Sequence, residues 1–141
     1  MRATFRPPTD VAAYRFCHRV RARFADTDAM GVVNHAAYLP YLEEARVEYL
    51  RSVGHPYAEL RAGGLELPVV ELTARYLRSV LFDELVDIHL VLASARGASF
   101  EIGYLLTVDG EPAMTAVTLH AVTGAGRPRR CPPWLVDLAK A

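Results

Sequence analysis

In the stretch Asp26-Thr27-Asp28-Ala29-Met30-Gly31-Val32-Val33-Asn34-His35, two carboxylates, a glycine, an asparagine and an imidazole lie close together. Asp28 stands just before a glycine-containing turn, and beyond the stretch apolar residues recur at helical spacing. A carboxylate in that place faces the free N–H groups and positive dipole end of a helix, which can stabilise an oxyanion. A base beside an oxyanion site suits cleavage of an activated acyl group such as a thioester. The thiolate leaves with little help, so no serine triad is required. Asp28 is therefore the first candidate, as nucleophile or as general base on water; its alternative reading is a helix-entry cap. Asp26 is read instead as a turn former that hydrogen-bonds backbone N–H groups. The same residues mimic the start of a calcium loop, but Met30 and Ala37 stand where such a loop needs oxygen ligands.

The elements that must position Asp28 follow from periodicity. Upstream, residues 18–25 alternate, with Val20, Ala22 and Phe24 on one face and three arginines on the other, which predicts a half-buried strand. Downstream, residues 37–53 place Tyr41, Leu42, Ala45, Tyr49 and Val53 on one helical face. Pro40 sits in the first turn, where its missing N–H does no harm, and Gly54 lies beyond the end. Four further strands are expected at about 67–78, 85–96, 99–108 and 113–123, with Asp109-Gly110 as a two-residue hairpin turn. His89 and His120 are assigned to polar strand faces. Cys17 and His18, adjacent on a strand, point to opposite faces, which argues against a thiol–imidazole pair. Residues 1–16 carry Pro7 and Pro8 and read as a loose arm before a single domain at 17–141, whose tail packs Trp134 and Leu135. The order predicts an α+β fold with a five-stranded antiparallel sheet and one long helix. A helix of about 17 residues spans only about 25 Å. It leaves part of the sheet uncovered, so the chain is expected to form a homo-oligomer.

Length and composition set the outer bounds. A chain of 141 residues suits one hydrophobic core. Its 16 basic and 16 acidic residues cancel, so no overall field draws in nucleic acid or an anionic membrane. Two cysteines without C-x-x-C spacing suggest neither a disulfide scaffold nor zinc. No apolar run approaches the length of a membrane span, and the N-terminus lacks a signal peptide's apolar stretch. A cytoplasmic protein without membrane insertion, metal or cofactor is expected.

The run DTDAMGVVNHAAYLPYLEEAR resembles the acyl-CoA thioesterases of the 4-hydroxybenzoyl-CoA thioesterase type, including the bacterial group associated with the Tol-Pal system. ARYLRSVLFDELVDI and SARGASF extend the resemblance to roughly residues 18–130. It implies a hotdog fold, a sheet wrapped around one long helix, with sites between paired subunits in a dimer or tetramer. It puts the catalytic carboxylate on Asp28 and the oxyanion N–H near His35, whose imidazole orients substrate or assists proton transfer. Gly31, Val33 and Tyr38 are implied as substrate contacts, and Arg96, Gly97 and Ser99 as the bend that meets CoA phosphates. A tyrosine this group carries four residues before the aspartate is Phe24 here. A related lineage places its acid along the helix, nearest Glu43 or Glu44. The implied activity is acyl-CoA hydrolysis; a carrier-protein thioesterase and a non-catalytic thioester-binding protein are the alternatives.

Overall fold

The computed structural model describes residues 2–141. Strand β1 (Phe16–Arg21) is followed by 3-10 turns at Phe24–Asp26 and His35–Ala37, helix α1 (Tyr38–Ser52) and short helix α2 (Tyr57–Ala62). Strands β2 (Val69–Tyr76), β3 (Leu85–Arg96), β4 (Ser99–Val108) and β5 (Glu111–Ala121) follow, and helix α3 (Pro133–Lys140) ends the chain. Five strands form one sheet in the order β1-β3-β4-β5-β2, every neighbour antiparallel. This is the expected α+β hotdog architecture, with α1 packed on the sheet's inner face.

Local chemistry explains the elements. In β3, Val86, Ile88, Leu90 and Leu92 are buried beneath the helices and alternate with half-buried residues, the period of a strand with one core face. Asp109 and Gly110 both adopt positive φ, at 50° and 79°, as a two-residue turn between β4 and β5 requires. Helix α1 buries Tyr38, Tyr41, Leu42, Ala45, Tyr49 and Leu50. Among the described residues, no helix is long and apolar enough to cross a membrane.

Two expectations are corrected. Phe24 does not share the core face with Val20 and Ala22: β1 ends at Arg21, the chain turns, and the Phe24 ring is 77% exposed, edge-on to Phe82 at 5.7 Å. His120 does not lie on a polar face but is buried on the inner face, stacked on Phe100 at 4.6 Å. The tail packs Trp134 and Leu135 as expected, as a helix that buries Leu135 and stacks Trp134 on His55 at 3.9 Å. Cys17 and His18 do take opposite faces, and His18 Nε2 meets Glu44 at 2.6 Å.

Of the expected arm 1–16, Met1 lies outside the described residues. The segment after it runs across the sheet's outer face. Glu101, buried on β4, accepts from Thr4 N, Thr4 Oγ1 and Phe5 N at 2.8–3.0 Å, and Ala3 N donates to Glu71 at 2.8 Å. Burial pushes the Glu101 carboxyl up, yet these hydrogen bonds outweigh it and hold it below its usual range. The Phe5 ring fills the space a side chain at Gly103 would need: an added Cβ would lie 2.2 Å from the ring. Gly103→Ala is expected to lift the arm, lowering stability by about 1 kcal/mol. Faster amide exchange at Thr4 and Phe5 would show it; unchanged protection would contradict it.

Candidate active site

The loop after β1 is built by its own polar groups. Asp26, 6% exposed, accepts from Arg23 N at 3.0 Å, from Arg23 Nη2 at 2.9 Å and from the Tyr41 hydroxyl at 2.6 Å. It thereby ties the loop both to itself and to α1. Burial alone would raise the Asp26 carboxyl, but the hydrogen bonds from Arg23 and Tyr41 prevail and lower it. Burial and the Asp26 hydrogen bond raise the Tyr41 phenol in turn.

Asp28 closes a tight turn. Its N–H donates to Val32 O at 2.9 Å, its carbonyl accepts from Gly31 N at 3.0 Å, and Gly31 takes a φ of 79° that favours glycine. Oδ1 accepts from Met30 N at 2.8 Å, and Oδ2 has no partner among the described residues. One carboxylate oxygen is thus held by the turn and the other is left open toward the cavity.

The next turn leaves a backbone N–H without a partner inside it. Asn34 Oδ1 accepts from Ala36 N at 2.9 Å and Asn34 O from Ala37 N at 2.8 Å. His35, first in this turn, has no partner for its own N–H within the turn, as helix starts leave such groups free. The Tyr76 hydroxyl donates to His35 O at 2.9 Å and fixes the backbone there. Asp28, Val33, His35 and Tyr38 together line a cavity of about 430 Å³. Gly31 shapes the adjoining turn rather than the wall. Arg96, Gly97 and Ser99 stand elsewhere, at the far end of β3, a 12-residue strand about 40 Å long.

Sequence reading missed Tyr76 and Arg78, which also line the Asp28 cavity. Strand β2 ends at Tyr76, and past it Leu77 N and Arg78 N both donate to Ala113 O, so strand alternation in the sequence does not place Arg78 beside Asp28. Arg78 is held by Glu84 at 3.3 Å and Glu111 at 3.6 Å, and its Nη1 is buried without a partner among the described residues.

A second cavity of about 420 Å³ lies under the C-terminal half of α1, lined by apolar side chains and by Glu43, Arg46 and His120. One hydrogen-bond chain sets its polar wall. Leu67 O can only accept, so the His120 nitrogen 3.0 Å away, Nδ1, carries the proton. His120 Nε2 then accepts from Thr118 at 2.8 Å, Thr118 from Tyr104 at 2.7 Å, and Tyr104 from Arg46 at 3.3 Å. Burial pushes His120 down to about 4, so it is neutral at pH 7.

Comparison with known proteins identifies the family. The Thioesterase-like superfamily matches residues 22–141. A putative esterase of Aquifex aeolicus is 32% identical over 89% of this chain and 98% of its own length. The acyl-CoA thioester hydrolase YbgC of Escherichia coli O6:H1 is 36% identical over 57% of this chain and 60% of its own. The crystal structure of the DHNA-CoA thioesterase of Staphylococcus aureus superposes with a TM-score of 0.78 at 28% identity, covering 81% of this chain and 78% of that one. The chain belongs to the thioesterase-like superfamily, of hotdog fold. It is a thioester hydrolase.

Proposed function

We propose that this chain hydrolyses acyl-CoA thioesters to a carboxylic acid and CoA, with Asp28 as its carboxylate and the His35 N–H as its oxyanion donor. The observation that carries the reading is the free Asp28 Oδ2 in one cavity with His35, at a turn whose first N–H is unpaired. A carbonyl lying there is polarised by a preorganised donor while Asp28 either attacks it or draws a proton from water. As base, Asp28 takes a proton from the water that adds to the acyl carbon, and the thiolate leaves and is protonated; as nucleophile, Asp28 displaces the thiolate to give an anhydride, which water then cleaves to the free acid and the regenerated carboxylate. The His35 imidazole, exposed at the cavity, orients substrate or carries a proton. The curated relative that acts on acyl-CoA supports CoA as the leaving thiol.

The working form is a homodimer paired through β2, a cytoplasmic enzyme without metal or cofactor. Strands β1 and β2 are the sheet's two edges, and along β2 the apolar Val69, Val70 and Leu72 expose 43, 50 and 38% of their surface. An open apolar edge invites a second copy. Antiparallel pairing of two β2 strands would set the partner's Arg96–Ser99 turn on the same side of the joined sheet as Asp28. That placement lets Arg96 meet CoA phosphates, which its own chain's geometry does not allow.

Thiol release from a panel of short, long and aromatic acyl-CoAs, with carrier-protein thioesters beside them, tests the reading. Release from at least one acyl-CoA at kcat/KM of roughly 10⁴ M⁻¹s⁻¹ or more is expected. Release only from carrier-protein thioesters would replace CoA as the thiol, and none from any thioester would sink the assignment. Light scattering should give a dimer or a pair of dimers; a monomer would remove the shared edge.

A further inference from the structure

Resting on that acyl-thioester reading, we propose that Arg46 works in trans: its guanidinium contacts the thioester bound at the Asp28 of the other copy. Arg46 is half-buried on α1, yet among the described residues only one of its five N–H donors is engaged, in the 3.3 Å bond to Tyr104. It has no ion-pair partner among the described residues, and neither does Asp28. Each is a lone charge beside a cavity, where an unpaired charge is expensive to hold. Glu43, one turn before Arg46, is exposed, so water screens its charge.

Topology brings the two lone charges together. Strand β2 runs against α1: its Tyr76 end packs on Tyr38 at 5.3 Å beside Asp28, and its Val69 end lines two cavities with Arg46. An antiparallel pair of β2 strands about a two-fold axis exchanges those ends, setting Val69 of one copy against the partner's Tyr76. Arg46 then approaches the partner's Asp28 cavity, and its free donors meet acceptors on the substrate. The pairing is complementary in charge, cation to carboxylate, twice over. Within its own chain Arg46 lies eight residues along α1 from Tyr38, on the order of 12 Å away.

A mixed dimer decides between the two arrangements. Asp28→Asn and Arg46→Met each lower kcat/KM as homodimers, Arg46→Met by roughly tenfold or more. Co-expressed with different tags and purified as the heterodimer, they restore one intact site, with about half of the wild-type kcat. A heterodimer no more active than the better homodimer would place Arg46 in cis and overturn the proposal, as would an Arg46→Met homodimer of full activity. If Arg46→Met fails to fold by thermal melting, Arg46→Gln, which keeps a donor for Tyr104, takes its place with the same expectation. A monomer in light scattering overturns the proposal while leaving thioester hydrolysis standing. A wild type inactive on every thioester removes both.

Discussion

Asp28→Asn lowers kcat for thiol release by roughly 10²–10⁴-fold, the share a positioned general acid–base group supplies, with the fold intact. The separation of activity from folding follows from the two oxygens. Oδ1 accepts from Met30 N, and the asparagine carbonyl can do the same, so the turn keeps its shape. Oδ2 has no partner among the described residues, and replacing it with an amide removes the lone pairs that would attack the acyl carbon or take a proton from water. The melting temperature should stay within about 2 °C, as expected for a change of roughly 0.5 kcal/mol or less. Asp28→Glu keeps the charge but moves it by one methylene, and a displacement of that order can cost about 10²-fold. Steady-state thiol release read beside thermal melts checks all three statements. If Asp28→Asn were folded and fully active, a different group would have to be the base.

The turn that holds Asp28 is legible in the sequence because its whole setting is local. The carboxylate, the glycine of the turn, the asparagine cap and the helix that follows occupy one continuous stretch, so short-range rules suffice. The same holds for the Asp109-Gly110 hairpin and for β3, whose single core face writes a clean alternation into the chain. Strands β4 and β5 are different. The helices cover their inner face and the N-terminal arm covers part of the outer one, so nearly every residue is buried and the two faces lose their contrast. His120 was read as facing the polar side for that reason, although pairing with Phe100 places it inward. Phe24 went wrong at an end: alternation continued in the sequence past the point where Asp26 bends the backbone. Arg46 and Arg78 carry no signal in one dimension. Arginine on a helix or at a strand end is ordinarily solvated, and only the fold reveals donors left unused beside a cavity.

Asp26→Ala should produce the largest loss of stability, about 3 kcal/mol, or a fall of roughly 10 °C in melting temperature. The buried carboxylate gathers the Arg23 backbone N–H, the Arg23 guanidinium and the Tyr41 hydroxyl, and hydrogen bonds to a charged group contribute about 1.5–3 kcal/mol each. The guanidinium adds less, because Arg23 is mostly exposed and water screens it. Without the carboxylate, the Tyr41 hydroxyl is left buried and unpaired beneath the loop. Activity should fall as well, by roughly tenfold or more, since Asp26 anchors the loop carrying Asp28 to the helix start that holds His35. The pH dependence separates this cause from simple repacking. The Asp26 carboxyl in the folded chain lies below its ordinary value of 3.8. Its contribution is therefore fully present above that value and is lost as pH falls through the folded pKa. Denaturation midpoints of wild type and Asp26→Ala should accordingly differ by the full amount at pH 7 and converge only below about pH 4. A gap that stayed constant down to pH 2 would mean that lost packing, and not the ionised carboxylate, had been holding the loop.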